Sequence, residues 1–427
     1  MAGIAAWLVA AAVANPPPTL SSSPPLVPQW DASVVLQAGT TGRSALPTLA
    51  LVPSLSHRRE QLRLTLQVPL WLRWPKGAEA STPQWLNEWS YPGTYSGFIR
   101  ELDWRSANSR WRLRAGTLVQ ETLGVGAVLR GYSNALDPMR PRGGSVLRYR
   151  NDHMRLAALV NELAAPHLLA ATARVAPLSW SGLDPQGRWV VGGTVALDWT
   201  APASAQRRSI SGAAALWSGI TIWSSSRFGA RLQTAAGALA RGAQMGGGLL
   251  GGLQLEGRLS RRFGGVFSVE GVWAGRNYVP GYFDGAYQSE RFGIAREAGV
   301  SKSALPMPST AGVRSRFRVV SGPASWGWMV QWLQARNRHL MLFFNWENEH
   351  VQVRTQLQQR HLQDAADLWQ LDAGAQLVVD AAVRLYEGLF VSSLVRHGWR
   401  LASDRGVEPV PFEWMVGLGY SMGGELR

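Results

Sequence analysis

Residues Gln61–Trp74 read Q-L-R-L-T-L-Q-V-P-L-W-L-R-W. Leu62, Leu64, Leu66, Val68, Leu70, Leu72 and Trp74 fall on one parity; Gln61, Arg63, Thr65, Gln67 and Arg73 fall on the other. Successive side chains of a strand point to opposite faces, so this segment predicts a strand with one apolar and one polar side. It outruns the roughly 5–6 residues usual in soluble sheets. It suits a tilted membrane-crossing strand of about 9–11 residues with an extension into solvent.

The same alternation recurs outward from there. Trp111, Leu113 and Ala115 oppose Arg112 and Arg114; Leu147 and Tyr149 oppose Arg148 and Arg150. After a turn at Asn151-Asp152, Met154, Leu156, Ala158 and Val160 oppose Arg155 and Asn161. Val313, Phe317 and Val319 oppose Arg314, Arg316 and Arg318. Further runs begin at Leu340, Leu377 and Phe412. From Gly192 to Gly271 the pattern weakens, because Gly and Ala fill both faces. Leu357–Leu371 also fits a helix; we read it as two strand ends with a turn at Asp364–Asp367. No βαβ spacing appears, which argues against a parallel α/β fold. Counting runs gives about 16–18 strands.

Connection lengths alternate. Trp104–Trp111 is a tight hairpin, whereas Pro75–Thr94, Tyr132–Gly144 and Arg276–Ala311 are long. Trp189 and Trp199 sit on one face of WVVGGTVALDW, ten positions apart. That is roughly 33 Å along a strand, or about 24 Å along the membrane normal at a tilt near 45°. The apolar band of an outer-membrane barrel is about 25 Å tall, with an aromatic girdle at each rim.

Ile4–Val13 is a short apolar run leading to Ala12-Val13-Ala14 and Asn15. It reads as a signal peptide over 1–14, followed by a Pro/Ser-rich lead-in over 15–29 and a barrel over 30–427. The chain has no cysteine, so neither disulfides nor a lipoprotein anchor enter. The formal charge is +15, and of 43 Lys+Arg only Lys76 and Lys302 are lysines. The arginines sit singly among apolar residues, not in a tail or on a helix face, which argues against nucleic acid.

On these residues the chain resembles bacterial outer-membrane β-barrels, and among them porin-like channels and alginate-export-like barrels. The resemblance implies an all-β, antiparallel up-and-down barrel in the bacterial outer membrane, surrounded by lipid and lipopolysaccharide. It also implies traffic in anionic solutes or acidic polymers, and room for a place in an envelope complex. The chain closes Gly423–Arg427 after Tyr420, where such barrels end on an aromatic; a short tail beyond the last strand reconciles the two.

Apparent catalytic motifs lack their context. Gly419–Gly423 matches G-x-S-x-G, but neither a helix nor a histidine follows Ser421. Gly246–Gly251 matches G-x-G-x-x-G without a βαβ frame. The seven histidines show no metal spacing, so the expectation is a non-enzyme without cofactor or metal. The expected anion-attracting lumen residues are Arg63, Arg73, Arg112, Arg114, Arg148, Arg150, Arg155, Arg314, Arg316 and Arg318. An arginine facing lipid at mid-membrane costs about 2–4 kcal/mol, so these must point inward. Tyr132, Asn134, Asp137, Arg140 and Arg142 form a candidate constriction loop, with an ordinary surface loop as the other reading. Tyr278, Tyr282, Phe283 and Tyr287 either stack sugar rings or pack their loop.

Two function classes stay open. One is a channel for anionic solutes or acidic polysaccharide; the other is a plugged structural or interaction barrel. Acidic partners for the arginines separate them, since a plugged lumen pairs each charge. If Ala14-Asn15 is the cleavage site, mass spectrometry of mature protein from the outer membrane finds a first residue at or near Asn15; an intact Met1 contradicts it.

Overall fold

The computed structural model describes residues 29–41, 46–74, 84–85, 95–134, 142–184, 186–202, 208–260, 262–285, 287, 291, 302, 307–334, 338–348, 350–360, 362, 375–403 and 406–422. In chain order the strands begin β1 (Gln29–Thr41), β2 (Leu46–Arg59), β3 (Leu62–Gln67), β4 (Leu70–Arg73), β5 (Gln84–Trp85), β6 (Ile99–Arg105), β7 (Trp111–Gly116) and β8 (Leu129–Arg130). They continue β9 (Gly144–Arg150), β10 (Met154–Val160), β11 (Leu168–Val175), β12 (Trp189–Pro202), β13 (Arg208–Ser224), β14 (Phe228–Arg241), β15 (Gln244–Arg258) and β16 (Phe263–Ala274). The last are β17 (Phe283–Asp284), β18 (Thr310–Ser321), β19 (Ala324–Leu333), β20 (Arg338–Glu347), β21 (Val351–Arg360), β22 (Ala375–Tyr386), β23 (Leu389–Ser403) and β24 (Gly406–Ser421).

All but β8 and β17 form one sheet of 22 strands. β3 and β4 both pair with β2 and make one stave, interrupted at Val68-Pro69; β5 and β6 fill the next stave. The described residues thus build a closed antiparallel barrel of 20 staves, sealed where β1 pairs with β24 from Ser33–Ser421 to Thr40–Trp414. Twenty corrects the sixteen to eighteen read from alternation. β1 and β2 escape that count because Val34-Val35-Leu36 and Leu49–Val52 are apolar on both parities. The inward members, Ala50 and Val52, pack with Trp71 and Met415 inside the barrel. Leu357–Arg360 lies in β21, so that end is strand; the turn at Asp364–Asp367 lies outside the described residues, as do residues 1–28.

The outer wall is apolar in the manner the membrane demands. Leu216, Val195, Leu249, Val416 and Leu418 are exposed there, and their lumen-side neighbours Ala215, Thr194, Leu250 and Met415 are buried. Trp111 and Tyr149 pair as rings 4.7 Å apart, and Phe317 lies between Trp326 and Trp328. Trp189 at the foot of β12 donates its indole N–H to Ser218 at 3.0 Å. Turns at one end are short: Ser106 closes 105–111, and the Asn151 carboxamide accepts from the backbone of His153 and Met154. The longer β11–β12 connection at that end includes one helical turn, Pro177–Trp180. The long connections 117–143 and 275–309 leave from the opposite end. This distribution is that of an outer-membrane barrel with short periplasmic turns.

The wall makes one energetic prediction. Leu216→Arg, at a 75% exposed outward position, lowers the unfolding free energy in lipid vesicles by about 2–4 kcal/mol. Gln254→Arg, on the lumen parity of β15, stays near wild type in the same urea titration.

Candidate functional site: the lumen and its partition

Two long connections turn back into the barrel and meet. β8, from the 117–143 segment, pairs in parallel with β17, from the 275–309 segment. Leu118, Leu123, Val128, Leu129 and Tyr132 of the first are at most 2% exposed, as are Tyr282, Phe283 and Tyr287 of the second. They share one apolar cluster with the inner faces of β9–β16. Of the constriction-loop candidates, Tyr132, Asn134 and Arg142 are buried; Asp137 and Arg140 lie outside the described residues. The Asn134 side chain accepts from Leu118 N–H at 2.7 Å and donates to the Asn161 carbonyl at 3.0 Å, fastening the segment to the β10–β11 turn. The aromatic residues of 278–287 pack the partition rather than presenting open ring faces.

The small residues that blurred the alternation now have a reason. Ala196, Ala213, Ala215, Ala235 and Ala274 form the wall against which the partition packs. A Cβ at Gly237 or Gly248 would strike the Tyr278 ring, and one at Gly124 would strike Thr194. Gly124 also holds φ at 60°, where a side chain is strained.

Charged groups tie the partition to the wall. Glu270 of β16 accepts from Arg130 of β8 at 2.6 Å, from Arg314 of β18 at 2.7 Å and from Gln233 at 2.9 Å. Asp284 pairs with Arg360 at 3.0 Å and Lys302 at 3.2 Å. Asp198 accepts from the Tyr287 hydroxyl at 2.7 Å and pairs with Arg291 at 3.2 Å. Burial, with the Asp198 carboxylate beside it, raises the Tyr287 hydroxyl well above its ordinary range, so it remains a donor. Burial also pushes Tyr278 up to about 12. At the loop base, Arg142 pairs with Glu162 at 3.1 Å, and burial raises the Glu162 carboxyl above its usual range.

The expected lumen arginines divide into two sets. Arg112 pairs with Asp103, Arg114 and Arg148 share Glu121, Arg63 meets Glu101 at 3.5 Å, and Arg314 belongs to the Glu270 node. Arg73 lies on the inward parity of β4, beside Trp71. For Arg150, Arg155, Arg316 and Arg318, no carboxylate lies within ion-pair distance among the described residues. Arg174 and Arg231 join this second set, and the sequence reading missed both. Arg155 and Arg174 are register partners, and Arg231 lies within electrostatic reach of Arg174, as does Glu256. The signal was available: a lone charge in a membrane-crossing strand must take the lumen parity. Arg150, Arg155, Arg174 and Arg231 sit toward the short-turn ends of their strands, below the partition.

Among the described residues no group of His, Cys, Asp and Glu could hold a metal ion. Ser421 donates to Asp31 at 2.9 Å and is 3% exposed, bonded at the end of a strand.

No protein-family description matches the chain, and no curated protein matches it. Among solved structures it is similar to OprD of Pseudomonas aeruginosa, at 10% identity over 92% of this chain and 95% of that one, with TM-score 0.35. It is similar to OccD3 (OpdP) of the same organism at 9% identity over 94% and 92%, with TM-score 0.34. It is similar to OccAB2 of Acinetobacter baumannii at 8% identity over 92% and 97%, with TM-score 0.34. Superpositions this loose decide nothing here; the barrel rests on its own strand pairing.

Glu270→Gln leaves Arg130 and Arg314 buried without their carboxylate. The expected loss of unfolding free energy is about 3–5 kcal/mol, read by urea titration. A loss below about 1 kcal/mol, the size of a surface pair, contradicts the node's role.

Proposed function

We propose that the chain is an outer-membrane channel for small anionic solutes. The observation that carries this is a set of lumen arginines with no carboxylate within ion-pair distance among the described residues: Arg150, Arg155, Arg174, Arg231, Arg316 and Arg318, with Glu256 the acid in electrostatic reach of Arg155, Arg174 and Arg231. An arginine inside a low-dielectric wall that lacks a carboxylate raises the local potential and concentrates anions. Guanidinium groups also offer the planar donor geometry that carboxylates and phosphates accept.

The paired set has another task. Arg130, Arg142, Arg291, Arg314 and Arg360 each meet an acid and hold the partition in place. The partition packs against the β9–β16 side of the lumen, and a cavity of about 20 Å³, room for a water, lies beside Arg130, Asp284, Gln331 and Arg360. A passage beside such a partition favours small solutes over an acidic polysaccharide chain.

The same partition supports the second reading, a plugged structural barrel, and one experiment separates them. In planar bilayers under a salt gradient, Arg155→Gln, Arg174→Gln and Arg231→Gln combined lower the anion-over-cation permeability ratio while the heat-modifiable gel shift stays. Arg314→Gln instead destabilises the fold, because it breaks the Glu270 node. Purified protein that carries no current under any condition makes the plugged barrel the better account.

A further inference from the structure

The partition has a second side. β8 and β17 pack toward β9–β16 on one face, and on the other they meet the inner surfaces of β19, β20 and β21. Arg130 donates to the Met329 sulfur at 3.4 Å there, and Asp284 crosses to Arg360 at 3.0 Å. The cavity of about 20 Å³ lies in this seam, toward the long-loop end of the barrel. Arg130, Gly281 and Asp284 line it from the partition; Gln331, His339 and Arg360 line it from the wall. A cavity of this size with several polar partners holds a bound species rather than staying dry.

Two observations say which species. The first is Gln331. It stands on the inward parity of β19, opposite Arg314 and His339 in the register, and is 5% exposed. Its carboxamide makes no hydrogen bond among the described residues, although a buried amide needs a partner. The amide NH2 group offers two donors to an occupant of the cavity. The second observation is the charge. Arg130, Arg314, Lys302 and Arg360 gather around the seam with two carboxylates, Glu270 and Asp284. Arg316, opposite Met329 in the register, lies within electrostatic reach of Arg130 and adds a fifth cation. Buried positive charge in excess is costly unless it is compensated.

Water would satisfy the Gln331 amide and leave the excess charge; an anion meets both needs. Size then selects the anion. Room for one water admits a halide, which is only slightly larger, and excludes carboxylates and phosphates. Asp284 also lines the cavity, but its carboxylate is already engaged by Arg360 and by Lys302 at 3.2 Å.

We propose that the seam cavity is a binding site for a single chloride ion, held by the Gln331 amide between the Arg130 and Arg360 guanidinium groups. The ion fastens the partition to the β19–β21 wall. It belongs to the fold, so the site does not depend on whether the lumen conducts.

The test uses the full-length protein. Crystals grown in sodium bromide and measured at the bromine absorption edge show an anomalous peak beside Gln331 and Arg360. In urea titrations at constant ionic strength, replacing gluconate by chloride raises the folded-to-unfolded ratio. The ratio rises about tenfold when chloride stands at ten times its dissociation constant. Gln331→Glu supplies the negative charge covalently; this variant loses the bromide peak and the chloride dependence while staying folded in gluconate. Arg155→Gln, Arg174→Gln and Arg231→Gln combined keep both, which separates this site from anions in the lower lumen. If Gln331→Glu does not fold, the wild-type peak and titration decide alone. Cavity density without an anomalous signal makes the occupant water and overturns the proposal. So does a wild-type stability indifferent to chloride, or a Gln331→Glu variant that binds bromide as wild type does. Bromide found only beside Arg155 and Arg174 overturns it too, and leaves the channel reading intact.

Discussion

A backbone N–H or C=O in hydrocarbon has no water to bond, so a sheet in a membrane must have no open edge. The β1–β24 pairing meets that requirement here. Once the sheet is closed, each strand has one face toward lipid and one toward the lumen, and the two-residue period distributes every side chain between them. Arginines have only the inside to occupy. The inward placement of the strand arginines is thus a consequence of closure as much as of composition.

What fills that interior follows from side-chain volume. Staves β12–β16 carry Ala and Gly on the lumen parity, and the two inward segments pack there with Tyr278, Tyr282, Phe283 and Leu129. Burying the segments would strand charged groups without Glu270, Asp198, Asp284 and Glu162. Each of these receives a cation from a partition segment or its anchoring wall. Away from the partition, Arg150, Arg155, Arg174 and Arg231 have no carboxylate within ion-pair distance among the described residues.

The fold was legible wherever large apolar and polar residues alternate, as in β3, β9, β18 and β24. It was illegible for two physical reasons. In β1 and β2 both faces are apolar, because Ala50 and Val52 contribute to a small inner core. In β12–β16 the inner face is small because it receives the partition, and in β12–β14 the outward Gly193, Ala214, Ala236 and Ala238 line a groove, so small residues fall on both parities. The inward parity of Arg314, Arg316 and Arg318 could be read from the strand alone. Their different fates could not: the carboxylate that claims Arg314 comes from Glu270, more than forty residues earlier and adjacent only through register. Arg174 and Arg231 were overlooked because alternation is weak in LLAATARV and FGARLQTAAG, although the lone charge in each already fixed the parity.

The proposed channel function requires that the surplus positive charge of the lumen be open to solutes. The most direct measurement is the sign of the zero-current potential of the wild-type protein in a planar bilayer separating concentrated from dilute potassium chloride. An anion-selective lumen gives the sign set by chloride moving down its gradient. The potassium sign, or a potential of zero, contradicts it.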